Sequence, residues 1–179
     1  GMPKSICAHM HFGKWHDIEV EDDVTAYVEY ENGATGVFVT TTGDAPGTNR
    51  FEITLEKGKL VAEGSSLTMW KSDISEVEFS RTNKAPFGSM KFKKTEVELD
   101  GSNAQHAGVM NAFAGAILHG TPLVADGTEG INGLTISNAM HLSAWTGKTI
   151  DISCFDHELY YSELMERVKT SKRKINVSE

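Results

Sequence analysis

The stretch DDVTAYVEYENGATG, residues 22–36, decides the fold class because it has the pattern of a complete β-hairpin. Val24 and Ala26 alternate with residues of the opposite face, which is the period of two of a strand with one buried side. Asn32-Gly33 then supplies a tight turn, because both residue types tolerate the positive φ angles of a type I′ turn. The next run, Ala34–Thr42, is therefore predicted to fold back as the antiparallel partner.

Similar alternation extends from this hairpin in both directions along the chain, and with the hairpin it indicates about seven or eight strands. The further candidates are Ser5–His11, the run containing Phe51, Ile53 and Leu55, Lys59–Ala62, Ser66–Trp70, Glu76–Ser80 and Met90–Leu99. The short Thr149–Ile152, among the predicted helices, is an additional strand outside this count. Most of them follow one another through short turns. The sheet is therefore predicted to be large, open and mostly antiparallel, with some mixed pairing.

Helical spacing dominates the last third of the chain. A first helix containing residues 110–117 should end at Gly120, a second should run from Asp126 to Gly147, and a third should begin at Asp156. Strands first and helices later predict an α+β fold with helices on one face of the sheet. A length of 179 residues fits a single domain over residues 1–179.

The composition of the chain disfavours several classes of function. A formal net charge of −8 gives no electrostatic reason to approach nucleic acid or an anionic membrane. No apolar run approaches the roughly 20 residues of a membrane span and no signal peptide is recognisable, so a cytoplasmic location is expected. Cys7 and Cys154 lie far apart, which argues against a disulfide scaffold or a zinc ribbon.

The common sequence signatures of nucleotide binding and acyl transfer do not occur in this chain. It contains no GxGxxG, no GxxxxGK[ST] and no GxSxG motif. A dinucleotide or phosphate site built from this chain alone is therefore not expected.

Three histidines near the amino terminus raise the question of a metal site. His9 and His11 lie two residues apart and would point the same way from a strand, with His16 close by. The glutamate that such a site would want arrives only at Glu19. A structural or surface role is favoured, and pocket lining or metal binding are the alternatives.

The loop of residues 41–50, TTGDAPGTNR, combines hydroxyls, a carboxylate, an amide and a guanidinium between two predicted strands. A polyhydroxylated ligand requires this mixture of hydrogen-bond donors and acceptors. The alternative is a solvated hairpin loop.

Four stretches, in order along the chain, resemble the C-terminal domain of Gfo/Idh/MocA oxidoreductases. The hairpin of residues 22–36 is similar to the family's "D-v-x-a-x-l-x-y-x-n-G-a-x-g" pattern. The other three stretches are Arg50–Ile53 with Lys57–Leu60, His106–Gly120 with Pro122–Gly127, and Ser143–Ile152. The resemblance implies an open-sheet domain similar to the C-terminal domain of glyceraldehyde-3-phosphate dehydrogenase.

The same resemblance implies a role in an NAD(P)-dependent oxidoreductase that acts on a sugar or polyol, with the cofactor held by an N-terminal Rossmann half. Family members commonly assemble into homo-oligomers through the free sheet face. The family's E-K-P motif does not occur, since Glu56-Lys57 is followed by Gly58, and no Asp has His four residues later. The chain from Gly1 therefore resembles a piece that begins after the catalytic dyad, and we expect no catalytic residue in it and no activity alone.

The resemblance also assigns a substrate wall. The loop with Thr42 and Asp44, the adjoining Asn49 and Arg50, and the helix start at His106 match positions that face the substrate in the family. Arg50 has the alternative of a structural ion pair, and His106 that of an ordinary helix-start residue. A stand-alone assembly or ligand-binding module of the same fold is the alternative for the whole chain.

Overall fold

The computed structural model describes residues 1–101 and 104–172. They form an α+β fold of antiparallel strands and helices, as predicted, in two compact units, which are the described parts of Gly1–Asp44 with Leu123–Glu179 and of Ala45–Pro122. The first unit contains β1 Ser5–Phe12, β2 Glu21–Glu29, β3 Thr35–Thr41, a 3-10 turn Gly127–Glu129, α3 Gly130–Thr146, β8 Ile150–Asp151 and α4 His157–Thr170. The second contains β4 Arg50–Leu55, β5 Gly58–Glu63, β6 Ser66–Lys71, α1 Glu76–Thr82, β7 Lys93–Glu96 and α2 Gln105–His119.

The predicted hairpin is the centre of the first unit. Its strands pair in register from Asp23 opposite Thr41 to Glu29 opposite Thr35. Only Gly33 of the turn has a positive φ, 82°, so the connection differs from the predicted type I′ turn. The sheet has the strand order β3-β2-β1-β8 with antiparallel pairs throughout. The described strands thus divide into two four-stranded sheets, where a single large sheet was expected.

The core of the first unit lies between its sheet and α3. Ile6 and Ala26 are fully buried on one face of the sheet, and Ala139 and Leu142 of α3 are buried to the same degree, at 0–1% exposure. The residues that alternation along the strands turns to one face of the sheet therefore pack against the buried stripe of α3, so this helix covers one face of the sheet. The opposite face of the sheet carries Tyr27 and Val37, which are exposed.

A buried hydroxyl fastens α3 to the sheet. The backbone N–H of Ala8 donates to Ser143 Oγ at 2.9 Å, and Ser143 Oγ donates to the carbonyl of Lys148 at 2.7 Å. Strand β8 pairs with β1 only at Ser5 and Ile6. Ser143 therefore gives the N–H of Ala8 the acceptor that a longer β8 would have provided. Ser143 is the first residue of the last family-like stretch. From its place in α3 it connects β1, through Ala8, with the segment that follows the helix, through Lys148.

The second unit is an antiparallel sheet of order β4-β5-β6-β7 with two helices, and it corrects two strand predictions. The stretch Glu76–Ser80, predicted as a strand, lies in α1, because the Ser75 side chain accepts from the N–H of Glu78 and caps a helix. Of the predicted strand Met90–Leu99 only Lys93–Glu96 pairs, with β6.

The predicted helix ends are confirmed. Helices α2 and α3 end at Gly120 and Gly147, both left-handed with φ near 65°. Asp126 caps the 3-10 turn that precedes α3, so the α-helix itself starts four residues later than predicted. Asp156 caps α4 by accepting from the N–H of Leu159 at 2.8 Å. Within the described ranges, the helices lack the length and apolar character needed to cross a membrane.

The connection between β1 and β2 is organised by one buried carboxylate. Asp22, 3% exposed, accepts the backbone N–H groups of Lys14, Trp15 and His16 at 2.7–3.0 Å. Burial alone would raise the pKa of Asp22, but these three N–H groups and the nearby His16 ring hold it below its ordinary value. The aspartate is therefore an ionised anchor for the whole loop.

Replacing Ser143 by alanine should destabilise the protein by about 1–3 kcal/mol, because the N–H of Ala8 and the carbonyl of Lys148 lose their buried partner. The free energy of unfolding from urea denaturation measures this loss. Ser137→Ala, on an exposed position of the same helix, is the control and should change it by less than about 0.5 kcal/mol. Equal effects of the two substitutions would contradict this account.

Stability should fall with acidification in a way that depends on Asp22. A folded-state pKa below the unfolded value means that its stabilisation is present above the unfolded pKa and is lost as the pH falls through the folded pKa. Asp22→Asn, which has no carboxylate to protonate, should be less stable near neutrality and show a shallower acid decline in unfolding free energy. Ser143→Ala, which lowers stability without removing a titrating group, should keep the wild-type slope. An unchanged slope in Asp22→Asn would refute the assignment.

Candidate functional site

A cavity of about 300 Å³ lies in the first unit where β2 begins and β3 ends. Its wall includes the three consecutive threonines 40–42, the carboxylates Glu21 and Asp22, and His141 of α3. Such a wall combines hydroxyl, carboxylate and imidazole groups, which is the donor and acceptor set that sugar hydroxyls need. Thr42, one of the predicted substrate residues, therefore lines a concave site.

Thr42 is held in place by the main chain of Asp22. Its N–H donates to the carbonyl of Asp22 at 3.0 Å, and its Oγ1 lies 3.3 Å from the same oxygen and 3.0 Å from Nδ1 of His16. Thr41 Oγ1 also donates to that carbonyl, at 3.2 Å. The hydroxyls of this wall are thus preorganised by the aspartate that fixes the preceding loop.

Trp15 packs against the residue that follows Thr42. A Cβ added to Gly43 would fall 2.5 Å from the Trp15 ring, so glycine is needed for this close approach. The ring lies under the ammonium of Lys14, which is 4.7 Å from its centroid and also pairs with Asp23. The loops on both sides of the site are therefore in contact.

The three N-terminal histidines lie on the same unit but with separate partners. His11 Nδ1 is 3.0 Å from a carboxylate oxygen of Asp23, and His16 contacts Thr42 and Asp22, while His9 is exposed on β1. Within residues 1–101 and 104–172 no group of three or more His, Cys, Asp or Glu side chains has metal-binding geometry. Cys7 and Cys154 are free thiols.

The remaining predicted residues lie on the loop and in the second unit. Asp44 closes the first unit as an exposed residue, and Asn49, whose carbonyl faces the N–H of Gly64 at 3.4 Å, is also exposed. His106 is exposed in the first turn of α2. Thr42 is therefore the one predicted residue that lines a cavity described in the first unit, and the roles of the others stay predictions.

Arg50 is engaged in an ion-pair network on its own sheet. Its guanidinium donates to Glu52 and to Glu63, both at 2.7 Å, and Glu52 is also paired with Lys59. The hydrogen bond to Glu52, opposed by partial desolvation and supported by the charge of Glu63, raises the pKa of Arg50 above its ordinary value. The structural ion pair foreseen as the alternative is present, and a substrate would compete with it.

Sequence reasoning missed the ion pair of His141 with Glu21. Nε2 of His141 is 3.0 Å from Oε2 of Glu21, and its Nδ1 is 2.9 Å from the carbonyl oxygen of Ser137. The two residues are 120 positions apart in the sequence, so no local pattern predicts the pair. The only signal in the sequence was the position of His141, a polar residue next to Leu142 in a stretch of α3 whose other residues are buried.

A second cavity, of about 580 Å³, lies on the other side of this ion pair. Trp145 stacks on Tyr160 with centroids 5.5 Å apart, and the guanidinium of Arg167 lies 4.2 Å from the Trp145 ring. Burial, with a contribution from Glu21, raises the pKa of Tyr160 above its ordinary value. This cavity is mainly apolar and aromatic, in contrast to the threonine wall.

Residues 1–61 match the GFO/IDH/MocA C-terminal domain. No curated protein sequence matches the chain at a significant level. Many solved structures share the fold, and three are representative.

An aldose-aldose oxidoreductase from Caulobacter crescentus complexed with glycerol has 16% identity and a TM-score of 0.63 over 84% of this chain and 41% of its own. The WlbA dehydrogenase from Chromobacterium violaceum in complex with NADH and UDP-GlcNAcA has 23% identity and a TM-score of 0.60 over 84% of this chain and 40% of its own. Levoglucosan dehydrogenase in complex with NADH and levoglucosan has 16% identity and a TM-score of 0.64 over 87% of this chain and 46% of its own.

This chain therefore spans less than half the length of these solved structures. The sequence match covers 61 residues and the fold match covers most of the chain. The similarity in sequence is thus to the GFO/IDH/MocA C-terminal domain over residues 1–61, and the similarity in fold is to these solved structures over most of the chain.

Proposed function

We propose that this chain is the substrate-binding and oligomerisation domain of a cytoplasmic NAD(P)-dependent oxidoreductase that acts on a sugar or polyol. The observation that carries the proposal is the cavity beside Thr42, where hydroxyls held by Asp22 face a carboxylate and an imidazole. A Rossmann half would hold the cofactor, and residues 1–179 would act as one C-terminal domain. On this proposal the chain is inactive alone.

The relatives support the choice of substrate class. Their names include glycerol, levoglucosan and a UDP-linked sugar, all rich in hydroxyl groups, and two of them carry NADH. A wall of threonine hydroxyls with fixed donors and acceptors suits the hydroxyl groups of such ligands better than it suits an apolar ligand. We also propose a substrate role for Asp44, Asn49, Arg50 and His106, on the resemblance alone.

The proposed assembly surface is the face of the first unit's sheet that α3 does not cover. Val37 and Val39 are 70% and 64% exposed there, and Tyr27 lies beside Val37 on the neighbouring strand. Adjacent exposed apolar residues on a flat sheet are typical of a protein interface. We propose that a second copy of the chain covers this face.

Thr42→Val should weaken polyol binding roughly 2- to 10-fold, because it removes one hydroxyl hydrogen bond from the wall while keeping the side-chain shape. Glycerol and levoglucosan are titrated into the ¹⁵N-labelled chain, and amide shifts at residues 40–43 report binding. Thr35→Val, at the other end of β3, is the matched control and should bind as the wild type. If neither probe shifts these amides in the wild type, the chain is better described as a stand-alone assembly module.

A double substitution Val37→Lys and Val39→Lys should convert the oligomer to a monomer, because two charges would be buried against the second copy. Light scattering on the purified chain measures the mass. Ser80→Lys, on an exposed position of α1, adds a charge away from this face and should leave the mass unchanged. A monomeric wild type, or a double variant of wild-type mass, would disprove the proposed interface.

A further inference from the structure

His16 differs from His141 in how its ring is used. Both ring nitrogens of His141 face oxygen acceptors, Glu21 on one side and the carbonyl of Ser137 on the other. His16 has its contacts on Nδ1 alone, with Thr42 Oγ1 at 3.0 Å and Asp22 Oδ2 at 3.6 Å. No partner for Nε2 of His16 lies within residues 1–101 and 104–172, and the side chain is 51% exposed. His16 can therefore still bind a ligand.

The surroundings of Nδ1 determine where the proton of the neutral ring resides. Thr42 Oγ1 has a backbone acceptor within reach, the carbonyl of Asp22 at 3.3 Å, which it shares with the Thr42 N–H and with Thr41 Oγ1, so its hydroxyl proton need not go to His16. The nearby carboxylate is ionised, because its three backbone N–H partners stabilise the negative charge. A carboxylate beside Nδ1 favours N–H over a lone pair at that atom. Nε2 then carries the lone pair.

The loop keeps this arrangement rigid. The backbone N–H of His16 donates to the same oxygen of Asp22, Oδ2, that lies near its ring, at 3.0 Å. Asp22 thus fixes His16 through its side chain and Thr42 through its carbonyl. The two residues are positioned by one aspartate, and their relative placement does not depend on the ligand.

We infer that His16 is a further residue of the polyol site, that it accepts a hydrogen bond from a ligand hydroxyl at Nε2, and that Asp22 is its positioning residue. The inference rests on the proposed function, since His16 is linked to the cavity through Thr42, which lines it and which His16 contacts at 3.0 Å. In this role His16 selects for ligands with two neighbouring hydroxyl groups, one that contacts Thr42 and one that donates to Nε2. Ligands without that hydroxyl lose a hydrogen bond and leave the imidazole unpaired.

The tautomer is tested first, without any ligand. Two-bond ¹H–¹⁵N spectra of the labelled chain distinguish a proton on Nδ1 from one on Nε2. We expect His16 to carry it on Nδ1 in the neutral ring, and to lose this preference in Asp22→Asn while the sheet amides keep their shifts. A proton on Nε2 in the wild type would overturn the inference.

The binding role is tested with a pair of substitutions that separate the two nitrogens. In His16→Asn the side-chain amide takes the place of Nδ1 and keeps a donor toward Thr42, but nothing replaces Nε2. In His16→Gln the amide oxygen reaches the position of Nε2 and restores an acceptor. We expect glycerol and levoglucosan to bind roughly 2- to 10-fold more weakly to His16→Asn, and His16→Gln to recover part of the affinity.

The outcomes separate this inference from the proposed function. Polyol shifts at residues 40–43 that are the same in wild type and His16→Asn would overturn the role of His16 and leave the proposed function standing. If the wild type shows no such shifts with either probe, the proposed function fails and the ligand role of His16 fails with it. Weaker binding in His16→Asn with recovery in His16→Gln supports both.

Discussion

The carboxylate of Asp22 is the constraint on which the first unit's site depends. It is removed from solvent and would be costly there as an isolated charge, but three consecutive backbone N–H groups compensate for the lost water. Because the same residue lies at the start of β2, its carbonyl faces the end of β3 and accepts from Thr41 and Thr42. One residue therefore joins a loop, two strands and a cavity wall.

The second organising contact is the hydroxyl of Ser143, which joins α3 to β1 at the far side of the same sheet. The two residues have complementary effects. Asp22 arranges the edge where ligands would approach, and Ser143 fixes the helix that covers the core and carries His141. In both cases a short polar side chain forms hydrogen bonds with main-chain groups that have no partner on a neighbouring strand. Buried backbone groups require such partners.

Much of the fold follows from local sequence, and the failures have physical reasons. The hairpin of residues 22–36 and the helix ends at Gly120 and Gly147 were predictable because alternation and left-handed glycines are local properties. Glu76–Ser80 alternates like a strand, but it forms a helix, because the side chain of Ser75 caps the helix start. Thr42 was predicted through the family-like loop. Its partners Asp22 and His16, and the pair Glu21–His141, depend on main-chain geometry and on contacts between distant segments, for which the sequence has no short signature.

The hydrogen bond between Ala8 and Ser143 also has a kinetic meaning. It joins residues 135 positions apart, and the unit that it stabilises consists of two separate segments of sequence, with Ala45–Pro122 between them. During synthesis the strands β1 to β3 emerge long before α3, so their apolar face stays uncovered while the middle segment is made. Contacts of such sequence separation slow folding. The middle unit, whose strands pair with near neighbours in sequence, is able to form first, and the nascent sheet of β1 to β3 is the part that chaperones would have to protect.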